Sequence, residues 1–118
     1  MSERSGNPDK LHVLWTSGDR EVALNMVFMY ARNAKVREWW NEVALIIWGP
    51  SAALLSRDEE LQREIQAMGE AGVELLACRA CADGYGVTED LEKLGLKVIY
   101  MGEPLTRLLK QGARLITF

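Results

Sequence analysis

The sequence predicts a three-layer α/β/α protein built on a five-stranded parallel sheet. Three observations carry that expectation. Short apolar runs alternate with helically patterned stretches five times, the last strand having no helix after it. The run 43–48 is apolar throughout, as a central parallel strand covered on both faces must be. Gly, Pro, Ser and Asp stand at the junctions, so each unit ends where the chain can turn. Parallel strands joined by right-handed crossovers then place helices on both faces of the sheet.

In order along the chain, residues 1–9 mix Ser, Gly, Asn, Pro and charge without periodicity and read as a flexible tail. The single domain spans 10–118. Residues 11–15 form a short buried strand, and Thr16-Ser17-Gly18-Asp19 a turn whose hydroxyl or carboxylate caps the next helix. Over about 20–34, Val22, Ala23, Met26, Val27, Met29 and Tyr30 fall at mostly helical spacing. The connection 36–42 holds Trp39-Trp40, read as one ring closing the core and one half exposed, with a subunit contact as the alternative. After the strand 43–48, Gly49-Pro50-Ser51 turns into a short helical stretch at 52–55. The helix 58–70 follows, with Leu61, Ile65 and Met68 on one face.

Residues 73–87 are the centre of the chain, because an apolar run ends there in the only two cysteines, Cys78 and Cys81. The pattern reads as strand, reactive loop over 78–86, then helix. Thr88 is a candidate N-cap for a helix over 88–94, and Gly95 a stop for it. The strand 97–101, a turn at Gly102-Glu103-Pro104, a helix to about residue 111 and a last strand over 114–118 complete the chain.

Composition excludes several classes of function. A net charge of −3 and a pI near 5.2, with no run of Lys and Arg, leave nothing to track a phosphate backbone. Nucleic acid is not an expected partner. The polar N-terminus and the break of the longest apolar run at Gly49-Pro50 argue against a signal peptide and against a membrane span. The expected compartment is the cytoplasm, where both thiols stay reduced. Two thiols and one imidazole, His12, are too few for a structural zinc site within the chain, so neither metal nor cofactor is expected.

The cysteine pair admits more than one chemistry. A thiolate is the strongest side-chain nucleophile near neutral pH, and a dithiol pair that opens a helix also suits redox exchange. In open parallel sheets ligands bind beyond the carboxyl ends of the strands. That edge holds Cys78, with Asp19, Ser51 and Glu103, each of which has a simpler role at a helix N-terminus. Thr16-Ser17-Gly18 faintly resembles a phosphate-gripping loop, which keeps a small-ligand-binding role open. A structural or regulatory subunit without chemistry, presenting Trp39-Trp40, is the third class.

Four stretches together resemble the DsrE/DsrF-like family over about residues 11–118. They are Trp-Thr-Ser-Gly-Asp after the first strand, Trp-Gly-Pro-Ser after the second, Ala-Cys-x-x-Cys-Ala-x-x-x-Gly-Val after the third and the final Leu-Ile-Thr-Phe. The resemblance implies a compact α/β/α fold and homo-oligomers or hetero-oligomers, commonly trimers or hexamers. It also implies a sulfur carrier or sulfurtransferase, working with sulfur donor and acceptor proteins. Aligned on Gly86-Val87, Cys78 matches the cysteine that carries persulfide sulfur, and Cys81 a second cysteine found in some members. Gly84-Tyr85 stand where relay members often carry basic residues.

A carrier cysteine must react as thiolate, and at a pKa of about 8.5 only about 3% is ionised at pH 7. Arg79 and the following helix N-terminus are the expected groups to lower that pKa, opposed by Asp83. Cys81 can resolve a Cys78 persulfide by forming a disulfide and releasing sulfide.

Overall fold

The computed structural model describes residues 8–118. Strands β1 (Lys10–Trp15), β2 (Glu42–Ile47), β3 (Glu74–Cys78), β4 (Lys97–Ile99) and β5 (Arg114–Thr117) form one all-parallel sheet in the order β4-β3-β2-β1-β5. Both β1 and β2 are buried along almost their whole length, with His12 of β1 the one polar residue buried among their apolar side chains.

The strand order decides where the helices lie. From β1 to β4 each connection steps to the next strand in one direction, so right-handed crossovers put all their helices on the same face. The connection from β4 to β5 returns across the whole sheet, and its helix falls on the opposite face.

On the first face lie α1 (Arg20–Val22), a π-helical stretch (Ala23–Phe28), α2 (Met29–Val36), α3 (Pro50–Arg57), α4 (Glu59–Glu70), α5 (Arg79–Tyr85) and α6 (Thr88–Lys93). They cover Val13, Trp15, Leu45 and Ile47 with Val27, Phe28, Leu55, Leu61, Ile65 and Leu91. On the second face α7 (Gly102–Lys110) stands alone, with Leu105 and Leu108 against Leu14, Ile46, Cys78 and Met101. No α7 residue is fully buried, and Leu109 is 60% exposed.

The structure amends several expected elements. Of the tail expected over 1–9, residues 1–7 lie outside the described residues, while Pro8 and Asp9 form a turn. The Asp9 carbonyl accepts the Glu42 N–H (3.2 Å) and its carboxylate the Asn41 N–H (3.2 Å), so ordered chain precedes β1. The helix expected over 20–34 runs to Val36 with a π-helical middle, in which Ala23 and the adjacent Val27 and Phe28 are buried. The stretch expected at 52–55 is a two-turn helix, with Pro50 in its first turn.

The loop expected over 78–86 is absent, because β3 passes directly into α5. Thr88 does not cap α6; its hydroxyl donates to the Asp83 carboxylate instead. β4 ends at Ile99, two residues early, and β5 at Thr117. Trp40 packs against the core and its Nε1–H donates to Tyr30 Oη (3.2 Å), whereas Trp39 is 55% exposed.

Candidate active site

β3 delivers the first thiol to the carboxyl edge. Alternation along the strand turns Leu75 and Ala77 to the helix-rich layer and Leu76 and Cys78 toward α7. Cys78 is both the last residue of β3 and the N-cap of α5, with extended backbone (φ −75°, ψ 120°). The free N–H groups of a helix start gather at that position. Those of Ala80 and Cys81 turn toward the Cys78 sulfur from α5, and that of Met101 from beyond the end of β4. Cys81, one turn along, directs its thiol at the same sulfur. Cys78 makes no full side-chain cap hydrogen bond. The N–H groups therefore act on its sulfur chiefly through their dipoles, and these favour the anion.

The two thiols are pushed in opposite directions. Burial raises the Cys78 pKa, but the Cys81 and Met101 N–H groups, the Cys81 thiol and the Ala80 N–H outweigh it and hold this thiol below its ordinary value. Burial also raises Cys81; the Gly49 N–H lowers it, and the charge of Cys78 raises it further, leaving it above its ordinary value. The two thiols are coupled, with Cys78 the member pushed down and Cys81 the member pushed up. Both cysteines are free thiols, Cys78 buried and Cys81 half-buried.

The other expected site residues have structural roles. Arg79, expected to stabilise the thiolate, directs its guanidinium to Glu92 (3.3 Å) and to the Val98 carbonyl (3.3 Å), on the β4 side of the helix. The groups that lead in lowering Cys78 are the backbone N–H groups of Cys81 and Met101, with the Cys81 thiol and the Ala80 N–H after them. Asp19 is the N-cap of α1 and accepts from the Glu21 N–H (2.8 Å) and the Val22 N–H (3.3 Å).

Ser51 is fully buried, donates to the Trp15 carbonyl (2.6 Å) and accepts the Trp48 N–H (3.2 Å), tying the ends of β1 and β2 together. Gly86 caps α5 in the left-handed region (φ 72°). Glu103 pairs with Arg107. In the Thr16-Ser17-Gly18 turn, the Thr16 hydroxyl and the Thr16 and Ser17 N–H groups all donate to the Phe118 carbonyl, so they are already used within the fold.

Sequence reading gives no role to Gly49 and Met101, which act through their backbone. The strand order holds the signal: β2 and β4 flank β3, so the residues that leave those two strands must border the thiols. A cavity of about 190 Å³ under α7 shares Met101 with the site and is lined also by His12, Lys10, Glu74 and Leu108. The cavity of about 540 Å³ bordered by Gln66, Glu70 and Leu94 contains neither thiol in its lining. Among the described residues, no group of three or more His, Cys, Asp or Glu is placed to hold a metal ion.

The sequence model of the DsrE/DsrF-like family matches residues 10–118. The chain belongs to that family. Among solved structures, this DsrE/DsrF-like protein is similar to BT1422 from Bacteroides thetaiotaomicron, a conserved protein of unknown function. The two share 40% identity and a TM-score of 0.91 over 93% of this chain and 95% of that one. It also resembles MTH1491 from Methanobacterium thermoautotrophicum, another protein of unknown function, at 18% identity and a TM-score of 0.70, over 92% of this chain and 98% of that one. At that identity the second likeness speaks for the fold alone. No curated protein matches the chain.

Proposed function

We propose that this DsrE/DsrF-like protein is a sulfur carrier that holds sulfane sulfur as a persulfide on Cys78. The observation that carries the reading is the cradle of three backbone N–H groups and one thiol around a sulfur at a strand's carboxyl end, in a chain of this family. The Cys78 thiolate attacks the outer sulfur of a donor persulfide R–S–SH. The new bond is Cys78 S–S, the donor S–S bond breaks, and the donor leaves as the thiolate R–S⁻. The cradle that favours the Cys78 thiolate also suits the persulfide anion that replaces it.

An acceptor thiolate then attacks the outer sulfur and regenerates the Cys78 thiolate. Alternatively, Cys81 attacks the inner sulfur, which forms the Cys78–Cys81 disulfide and expels hydrosulfide; a reducing thiol must then restore the pair. The direction of the Cys81 thiol toward Cys78 favours a second reading, a small dithiol redox protein. A cytoplasmic setting suits two free thiols. No helix among the described residues is long and apolar enough to cross a membrane.

We place self-association in the same proposal. An apolar groove of about 380 Å³ between α2 and the edge strand β5 is lined by Met26, Met29, Tyr30, Trp39, Ile116 and Phe118, an exposed surface of the kind that subunits cover.

The test is incubation of the reduced protein with cysteine persulfide, followed by peptide mass spectrometry. One added sulfur on the Cys78 peptide is expected, accumulating further in Cys81→Ser and absent in Cys78→Ser. No added sulfur, with a Cys78–Cys81 disulfide that forms reversibly in glutathione buffers, would favour the redox reading.

A further inference from the structure

Trp48 stands out on the carboxyl edge because it is apolar, unburied and in register with the reactive sulfur. The last β2–β3 pair is Ile47 with Ala77, so one step further along the same register sets Trp48 opposite Cys78. The strand course holds that far, since the Trp48 N–H still donates to the Trp15 carbonyl (3.0 Å). Alternation along β2 turns Ile46 to the α7 side with Cys78, and Trp48 follows Ile46 by two residues. Gly49 then leaves the sheet at φ 86° and directs its N–H to Cys81. Cys78 is only 5% exposed, whereas Trp48 is 38% exposed. Register and alternation thus set an exposed indole on the strand beside the recessed sulfur, on the same face of the sheet.

We infer that Trp48 is a positioning residue, one wall of the entrance to Cys78 that holds the incoming persulfide by contact between its polarisable sulfur and the indole. Sulfur makes favourable contacts with aromatic rings, most usefully where one side of the ring is open. A flat apolar wall also keeps water from one side of the S–S bond while the thiolate attacks along another. The selectivity that follows is for soft, polarisable donors, with compact carbon electrophiles gaining little. This inference rests on the carrier reading and adds to it a residue that does not touch the thiolate's charge.

The experiment compares wild type, Trp48→Phe and Trp48→Ala for the rate at which Cys78 takes sulfur from cysteine persulfide and the rate at which iodoacetamide alkylates it. Trp48→Ala is expected to slow sulfur uptake about three- to tenfold while alkylation stays within about twofold. Trp48→Phe is expected to restore most of the uptake rate. A second readout is tryptophan emission: loading Cys78 should change it in wild type, and the change should vanish in Trp48→Phe although three other tryptophans remain.

Uptake by Trp48→Ala at the wild-type rate, or uptake and alkylation slowed in equal proportion, overturns the inference and leaves the carrier reading standing. A wild-type Cys78 that alkylates readily but takes no sulfur overturns both.

Discussion

Cys78 and Cys81 differ by three positions, yet one is the end of a strand and the other lies inside a helical turn, and their acidities diverge for that reason. The pair was legible in the sequence, as were its place on the carboxyl edge and the start of a helix beside it. What was not legible is the source of the stabilisation. Arg79 is the charge nearest in sequence, but its side chain follows α5 toward Glu92. The Met101 and Gly49 N–H groups lie far along the chain and come beside the thiols because β2 and β4 flank β3.

His12 carries a separate prediction at this scale. It is buried under α7, its Nδ1 has no partner, and burial followed by the nearby Lys10 charge lowers its pKa below 6.5, against the raising effects of the Arg114 carbonyl, Glu74 and Glu42. The folded state therefore binds less proton than the unfolded state. The resulting stability is present above about 6.5 and is lost as pH falls below it. Urea unfolding at pH 7 and then at about pH 5 should show a loss of stability from this group, and His12→Gln should flatten that dependence. An unchanged slope in the variant would remove His12 from the account.

At the scale of elements, periodicity located every strand and most helices to within a few residues, because each buried face is continuous in sequence. It failed where side-chain and backbone needs compete. The π-helical stretch holds two adjacent core residues, and the chain enters α5 without a loop because Cys78 is at once strand end and cap. Gly49 shows how closely such a junction is specified. Its φ of 86° and ψ of −141° lie outside the regions open to residues with a Cβ. Gly49→Ala should cost about 1–3 kcal/mol in urea unfolding and change Cys81 labelling more than Cys78 labelling, since the displaced N–H serves Cys81. Loss of stability with both labelling rates intact would mean that the loop merely turns the chain.

At the scale of the molecule, the sheet is unequally covered. Right-handed crossovers load one face with all the helices except α7, and α7 alone shields the other. Five strands and an all-parallel sheet follow from the sequence pattern; the one-sided loading does not, since it depends on the order in which the strands lie. β5 lies at the sheet edge, where Ile116 is 39% exposed and lines one groove with Met26 and Met29, so the proposal of self-association is tested there. Ile116→Glu is expected to lower the mass found by sedimentation while leaving the thiol reactivity of the single chain in place. A wild type that sediments as a single chain would refute that part of the proposal.

The central claim is that this fold singles out Cys78 as the reactive thiolate. The most direct measurement is the rate of iodoacetamide labelling of each cysteine in the reduced native protein between about pH 5 and about pH 9, resolved by peptide mass spectrometry. The account predicts that Cys78 labels faster, with a midpoint below the ordinary thiol value, and that Cys81 lags with a midpoint above it. Equal rates, or a faster Cys81, would contradict it.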